Sequence, residues 1–322
     1  MNWSDKEIFL SGGSGSLGQA ITKLLLENYK VKGVRIFSRG ELLQWEMRNN
    51  FNQKYPGAPI SYLIGDILNR KRVEMATREV DIIIHCAALK QVPVGEDNPL
   101  EVINTNIVGS QNILYAALEN KVEKVMAIST DKACLPTNLY GATKMCAEKL
   151  FIQAGTYSGG RNTRFSVIRY GNVLGSRGSV IPLFIKQYAD NKKITVTHKK
   201  MTRFWITLNR VAQFIVDSIS EMQGEEIFIP KMGSATIDTI AKAVVPKAII
   251  QYTGIRPGEK LHETLITAEE SVKIAPPDIG NPLSRYKITN KIVQGIPPFE
   301  YRSDTNDKWL SIEDIKEMLN EK

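Results

Sequence analysis

Three observations in the sequence predict an α/β fold built on a doubly wound parallel sheet. Short apolar runs alternate with segments of helical period through about residue 175, the pattern of strands joined by crossover helices. The first run ends in a glycine-rich turn that opens a helix. A later run ends in a dense cluster of polar side chains, and open α/β sheets bind their ligands outside the carboxyl ends of the strands.

The first strand is Glu7-Ile8-Phe9-Leu10, which leads into Ser11-Gly12-Gly13-Ser14-Gly15-Ser16-Leu17-Gly18. Leu17, Ile21, Leu24 and Leu25 then recur with helical period. Gly13, Gly15 and Gly18 match G-x-G-x-x-G, and Gly12, Gly15 and Gly18 give the wider G-x-x-G-x-x-G spacing. Glycine is required there because a side chain blocks the tight turn, the approach of a pyrophosphate and the packing of helix on strand. A lone glycine match is weak; a strand before it and a helix after it make it a dinucleotide-binding turn of the Rossmann type. Gly12, Gly15, Ser16, Leu17 and Gly18 are therefore placed against the cofactor.

The second strand, Gly33-Val34-Arg35-Ile36-Phe37, ends in Ser38-Arg39, about 20 residues past the last glycine, where an NAD enzyme carries an acid for the ribose 2′-hydroxyl. A serine and an arginine suit a 2′-phosphate instead, so NADP is expected over NAD; the bland reading makes Arg39 a plain surface charge. The third, Ser61 to Ile67, brings Asp66 and Ile67 to the adenine. The fourth, Val80 to His85, runs into Cys86-Ala87-Ala88, and the small side chains of Ala87 and Ala88 let the dinucleotide pass close to the backbone. His85 reads as a packed strand residue without a catalytic role.

The fifth strand lies in the run Val122 to Ile128 and ends at Ser129, followed by Thr130-Asp131-Lys132-Ala133. Tyr140 then opens a helix that carries Lys144 on the same face, four residues on. An ammonium beside a phenol is expected to lower the tyrosine pKa towards the range of a working acid/base. An isolated Tyr/Lys pair of this spacing is an ordinary surface pair, but that reading leaves Thr130, Asp131 and Lys132 unexplained.

Composition bounds the rest. The chain has 322 residues, 43% hydrophobic and 24% charged, as a soluble globular protein does. No apolar run reaches the roughly 18 residues of a membrane span, and the start has no signal-peptide pattern, so a cytoplasmic protein is expected. Cys86, Cys134 and Cys146 have no metal-ligand spacing; reduced thiols and no metal site are expected. The net charge of +8 raises nucleic acid as a partner, yet Lys192-Lys193 and His198-Lys199-Lys200 lack interleaved aromatics, and a positive balance equally suits phosphorylated small molecules. Residues 1–175 are assigned to the dinucleotide-binding domain, with later segments returning to it, and 176–322 mainly to a smaller C-terminal substrate-binding lobe.

On these pieces the chain resembles the extended short-chain dehydrogenase/reductases, and within them the UDP-N-acetylglucosamine 4,6-dehydratases that also invert C5. The resemblance runs from about Ile8 to Ile266. It is carried by His85-Cys86-Ala87-Ala88-Leu89-Lys90-Gln91-Val92-Pro93, Ser129 to Ala133, Asn138-Leu139-Tyr140-Gly141-Ala142-Thr143-Lys144, Arg169-Tyr170-Gly171-Asn172-Val173, Gly175 to Pro182, Met201-Thr202-Arg203-Phe204-Trp205-Ile206-Thr207 and Gly254 to Glu263. Ser11 and Ser14 stand where the family usually has threonine, Gly40 where an acid commonly follows, and His198-Lys199-Lys200 where acidic residues tend to precede Met-Thr-Arg-Phe.

The resemblance implies a tightly bound NADP that is recycled within each turnover, a UDP-sugar substrate and a homo-oligomer. It implies that Tyr140, supported by Lys144 and with Thr130 on the same oxygen, takes the proton of the sugar 4-hydroxyl while hydride leaves C4. Lys132 then removes the C5 proton made acidic by the 4-keto group, Asp131 protonates the departing 6-hydroxyl, and hydride returns to C6. An amine base acts when neutral and an acid when protonated, so both need a partly dehydrated site. The resemblance adds Ser129 and Val173 to the cofactor contacts, with Tyr140 and Lys144, and assigns Lys90, Thr130, Asn172, Arg177, Arg203, Arg256 and Glu259 to the substrate. For Arg203 and Arg256 an ion pair between the lobes is the competing reading.

Three competing activities stay open. A UDP-hexose 4-epimerase shares Thr130, Tyr140 and Lys144 but has no need of Asp131 and Lys132. A UDP-HexNAc dehydratase that retains C5 would use the same residues, since Asp-Lys favours that substrate branch without proving inversion. A non-catalytic NADP-binding protein on this fold commonly lacks the Tyr/Lys pair, which this chain has.

Overall fold

The structure is a computed structural model that describes residues 1–160, 162–176, 178–274, 285–295 and 297–321. Ile8, Phe9 and Leu10 are fully buried in the strand Glu7–Ser11, which pairs in parallel with Gly33–Ser38 on one side and Ile82–His85 on the other. Gly33–Ser38 pairs onward with Ile60–Ile64, and Ile82–His85 with Lys124–Ile128, then Arg164–Ile168 and Ile227–Pro230. The inner strands Ile82–His85 and Lys124–Ile128 are buried along their whole length, as parallel strands covered on both faces must be. The strand order therefore reverses at Glu7–Ser11, and a ligand crevice opens above that point.

An eighth strand, Arg285–Ile288, closes the sheet antiparallel to Ile227–Pro230. The sequence reading anticipates only parallel strands; Arg285-Tyr286-Lys287-Ile288 lacks the apolar run that marks the others, and of the four only Ile288 is buried. The predicted helices are present, with single π-helical turns at Leu25–Tyr29 and Asn104–Val108 that hydrophobic period does not foretell.

Beyond residue 175 the chain builds a second apolar cluster around Leu174, Phe184, Ile194, Trp205 and Ile240. Its frame is the sheet Gly233–Thr236, Thr202–Ile206, Asn172–Val173 and the strand pair Lys193–Val196 with Ile249–Tyr252. The helix Leu208–Glu221 instead packs on Ser16–Leu24 beside the main sheet. Among the described residues no helix is long and apolar enough to cross a membrane.

Candidate active site

The glycine turn is shaped for a dinucleotide. Gly12 has φ +67, and a Cβ there would stand 2.9 Å from the Ala87 nitrogen; at Gly18 it would stand 2.3 Å from the Gly13 carbonyl oxygen. Both glycines are therefore demanded by packing. A Cβ on Gly15 would meet only the Gly12 carbonyl oxygen, tightly, at 3.2 Å, so that position is less crowded than Gly12 or Gly18. Gly15 caps the helix Ser16–Leu24 without a side-chain hydrogen bond, so the positive end of the helix faces the turn, where an anion is favoured. A pyrophosphate fits this cradle.

At the end of the second strand, the Ser38 hydroxyl is shared by Ser14 Oγ and Gln44 Nε2, each at 2.9 Å. Arg39 is more than half exposed and lies 3.5 Å from Asp66 Oδ2. Asp66 Oδ1 accepts from the Leu68 N–H, and the neighbouring Ile67 is buried, its carbonyl held by Asn112. Ala87 and Ala88 line the turn after the fourth strand, where the Ala87 N–H donates to Ser11 Oγ. His85 is buried between Ser11 Oγ at 2.7 Å and Ser110 Oγ at 3.1 Å, and burial with the Lys144 charge lowers its pKa to about 3. It is a neutral strut beneath the turn, as the sequence reading expects.

The polar cluster begins where Lys124–Ile128 ends. Ser129, expected at the cofactor, is turned inward: its hydroxyl donates to Glu148 Oε1 at 2.5 Å and its N–H to the Ile168 carbonyl. Thr130 caps the short helical turn Asp131–Ala133 and donates to Asp131 Oδ1 at 3.0 Å. Asp131 is fully buried; Oδ1 also accepts from Lys132 Nζ at 2.9 Å, while Oδ2 has no hydrogen-bond partner. The helix Leu139–Ile152 starts on an Asn138 cap and brings in Tyr140, half-buried, and Lys144, buried, one turn apart.

The electrostatics correct one expectation. Burial raises the Tyr140 phenol above its usual range, and the groups that oppose this are the Lys132 ammonium and a hydrogen bond with Thr130, rather than Lys144. Lys144 is itself lowered to about 8 by burial, against the pull of Glu148. Lys132 moves the other way: burial lowers it, but the carboxylates of Asp131 and Glu263 outweigh that and hold it as an ammonium.

Three acidic residues and an arginine escape the sequence reading. Glu263, which ends the Gly254 to Glu263 motif without a role assigned to it, is buried with Oε1 3.5 Å from Lys132 Nζ. Arg169, also buried, donates from Nη2 and Nε to Glu148 and from Nη1 and Nη2 to Glu270, at 2.7 to 3.0 Å. Glu148 lies on the helix of Tyr140 and Lys144, so this clamp fixes that helix to the neighbouring strand and to the short helix Ala268–Ser271. The signal in the sequence is that buried charges need partners; nothing local tells which.

Of the residues expected at the substrate, Lys90 is exposed and the half-buried Asn172 has an unpartnered Oδ1. Arg256 is exposed and pairs with Glu259 at 3.0 Å. Arg203 is buried: Nη1 donates to the Thr202 and Leu261 carbonyls, Nη2 to that of Lys260, and the guanidinium lies 3.6 to 3.8 Å from Glu263 and Glu259. Its donors are thus spent on protein, in line with the ion-pair reading. Arg177 lies outside the described residues.

A sheet whose order reverses beside a glycine turn, with Tyr140 and Lys144 on the helix that follows its fifth strand, defines an enzyme of the extended short-chain dehydrogenase/reductase class. The chain belongs to the family described as polysaccharide biosynthesis protein, which matches residues 8–278. It is 44% identical to the UDP-N-acetylglucosamine 4,6-dehydratase (inverting) of Campylobacter jejuni over 332 residues, spanning 99% of this chain and 98% of the relative. It is also 40% identical to a UDP-glucose 4-epimerase of Rickettsia bellii over 331 residues, 98% of this chain and 95% of the relative. Among solved structures, Pen from Bacillus thuringiensis is similar with a TM-score of 0.90 and 38% identity, covering 100% of both chains.

Proposed function

We propose that this protein is a UDP-N-acetylglucosamine 4,6-dehydratase that inverts C5 and uses NADP. The observation that carries the reading is the contact of half-buried Lys132 with buried Asp131 beside Thr130 and Tyr140, because loss of water needs an acid and a base beyond the groups that oxidise C4. The Campylobacter jejuni relative, named for this activity, supports the reading. The Rickettsia bellii relative, named as an epimerase, makes 4-epimerisation the second reading.

The bound nicotinamide would accept hydride from C4 and return it to C6, with a proton returned to C5 from the face that sets its configuration, so that no net oxidation results. Gly12, Gly15, Ser16, Leu17 and Gly18 would hold the pyrophosphate, Asp66 and Ile67 the adenine, and Ala87, Ala88 and Val173 the stretch towards the nicotinamide, with Tyr140 and Lys144 below it. An exposed Arg39, with serine rather than acid before it, supports NADP.

Tyr140, as the phenolate, takes the 4-hydroxyl proton while Thr130 holds the oxygen and Lys144 stands one turn below. Lys132 takes the C5 proton, and Asp131 gives a proton to the 6-hydroxyl, which leaves as water while C5 and C6 become doubly bonded. Lys90, Asn172, Arg256 and Glu259 face the UDP-sugar, with arginine suited to the diphosphate and carboxylate to a hydroxyl. The second lobe, mainly residues 176–322, forms the nucleotide's side of the cleft. Assembly with further copies of itself and a cytosolic place of work complete the reading.

Incubation with UDP-N-acetylglucosamine and no added reductant should give a 4-keto-6-deoxy product lighter by one water on mass spectrometry. An isomer of unchanged mass would replace this reading with the epimerase.

A further inference from the structure

Glu263 reaches Lys132 from a distant part of the chain. Its backbone is pinned in both directions by Ser303, whose Oγ accepts the Glu263 N–H and whose N–H donates to the Glu263 carbonyl, each at 2.9 Å. The side chain is 2% exposed. Oε1 lies 3.5 Å from Lys132 Nζ and 3.6 Å from Arg203 Nε; Oε2 lies 3.6 Å from Lys260 Nζ and has no hydrogen-bond partner. A buried carboxylate is tolerated when cations surround it, and this one has three.

The segment around it is fastened to the catalytic turn. Lys260 Nζ donates to the Cys134 carbonyl at 2.6 Å, and the Gly258 carbonyl accepts from Asn138 Nδ2 at 2.8 Å and from Thr137 Oγ1 at 3.1 Å. A row of alternating charge follows: exposed Arg256, Glu259, buried Arg203, Glu263, Lys132 and Asp131, each within 4 Å of the next. Lys132 is thus held by two carboxylates from distant parts of the chain.

We propose that Glu263 is a positioning residue for the loss of water: it fixes the amine end of Lys132 beside Asp131 and sets the pH above which that pair loses the proton the step requires. The inference rests on the dehydratase reading. The resting pair is an ammonium and a carboxylate. Transfer of one proton along the 2.9 Å contact yields the neutral amine and the carboxylic acid that elimination uses, with no change in total charge. When Lys132 takes the C5 proton and Asp131 gives its own to the departing oxygen, the pair is back at its starting state.

The groups that bear on Lys132 are Asp131 on its own turn, Tyr140 on the catalytic helix, Lys90 across the site, and Glu263 and Arg203 from later parts of the chain. Glu263 acts to keep the proton on Lys132 and Arg203 to remove it. Loss of the Glu263 charge therefore moves deprotonation of Lys132 to lower pH.

The test compares the holoenzyme with its Glu263→Gln and Glu263→Asp variants, reading water loss and C5 hydrogen exchange against pH. Reduction of the bound nicotinamide by substrate is followed by absorbance as a separate measure of C4 oxidation. The alkaline limb of water loss should fall by about 1 to 3 pH units in Glu263→Gln, stay near wild type in Glu263→Asp, and C4 oxidation should persist in both. An unshifted alkaline limb in Glu263→Gln, or loss of C4 oxidation together with water loss, overturns the inference while leaving the dehydratase reading intact. A wild-type enzyme that yields only an isomer overturns the reading and the inference together.

Discussion

Lys132 Nζ stands 2.9 Å from Asp131 Oδ1 in a site where Asp131 is wholly buried and its other oxygen has no hydrogen-bond partner. On the proposed function this contact holds the base and the acid of the elimination side by side, one proton transfer from their working forms, with Oδ2 as the oxygen that would carry a proton to the substrate. Thr130 donates to the same Oδ1, which ties the pair to the residue that also contacts Tyr140. C4 oxidation and loss of water are thereby built on adjoining residues of one turn.

Asp131→Asn keeps the shape of the turn but removes the proton donor. Water loss should fall by about 100- to 10,000-fold, the usual worth of a positioned acid or base. Reduction of the bound nicotinamide by UDP-N-acetylglucosamine should continue, and stopped-flow absorbance would then show a reduced form that accumulates. Equal loss of both steps would deny Asp131 a separate role.

Much of the site is legible in the sequence because its parts are local. The glycine turn, the run Ser129 to Lys132, and Tyr140 with Lys144 each lie within one loop or helix turn, where spacing alone predicts neighbours. Arg169 and Glu270 are 101 residues apart, and Glu263 meets Lys132 only once distant parts of the chain have folded together. No periodicity in the chain records such contacts. For the same reason spacing credits Lys144, the near neighbour, with an effect on Tyr140 that Lys132 exerts, and the strand Arg285–Ile288, poor in buried residues, carries no signal.

Arg169→Met should separate stability from chemistry. It strands Glu148, which is buried, and Glu270, which is mostly so, at a cost of about 3–5 kcal/mol. Burial disfavours the charged form of Glu270, but the hydrogen bonds and charge of Arg169 outweigh it and hold its pKa below the usual 4.5. A carboxylate depressed in the folded state stabilises fully above its unfolded pKa and loses that contribution as pH falls through the folded value. The wild-type melting temperature should therefore drop on acidification below about 4.5, and its gap from Arg169→Met should narrow there. A gap constant with pH, measured by calorimetry, would contradict the clamp.

Two glycine substitutions divide packing from cofactor approach. Gly18→Ala forces a Cβ onto the Gly13 backbone and should cost about 1–3 kcal/mol of stability. Gly15→Ala makes one tight contact with a carbonyl oxygen, so it should lower the melting temperature less than Gly18→Ala while dinucleotide affinity, read by calorimetric titration, falls by about tenfold or more.

Arg39→Ala removes the exposed cation that supports the NADP assignment. Affinity for NADP should weaken by about 10- to 100-fold, the worth of one charge-assisted hydrogen bond, with that for NAD unchanged. Equal effects on the two would leave Arg39 as the surface charge paired with Asp66.

The central claim is that Asp131 and Lys132 turn an oxidation at C4 into loss of water. One NMR spectrum of the product made from UDP-N-acetylglucosamine in deuterated water tests it most directly. The account predicts a 4-keto-6-deoxy sugar with deuterium at C5 and that centre inverted. A 4-epimer that keeps its 6-hydroxyl and its C5 hydrogen would contradict it.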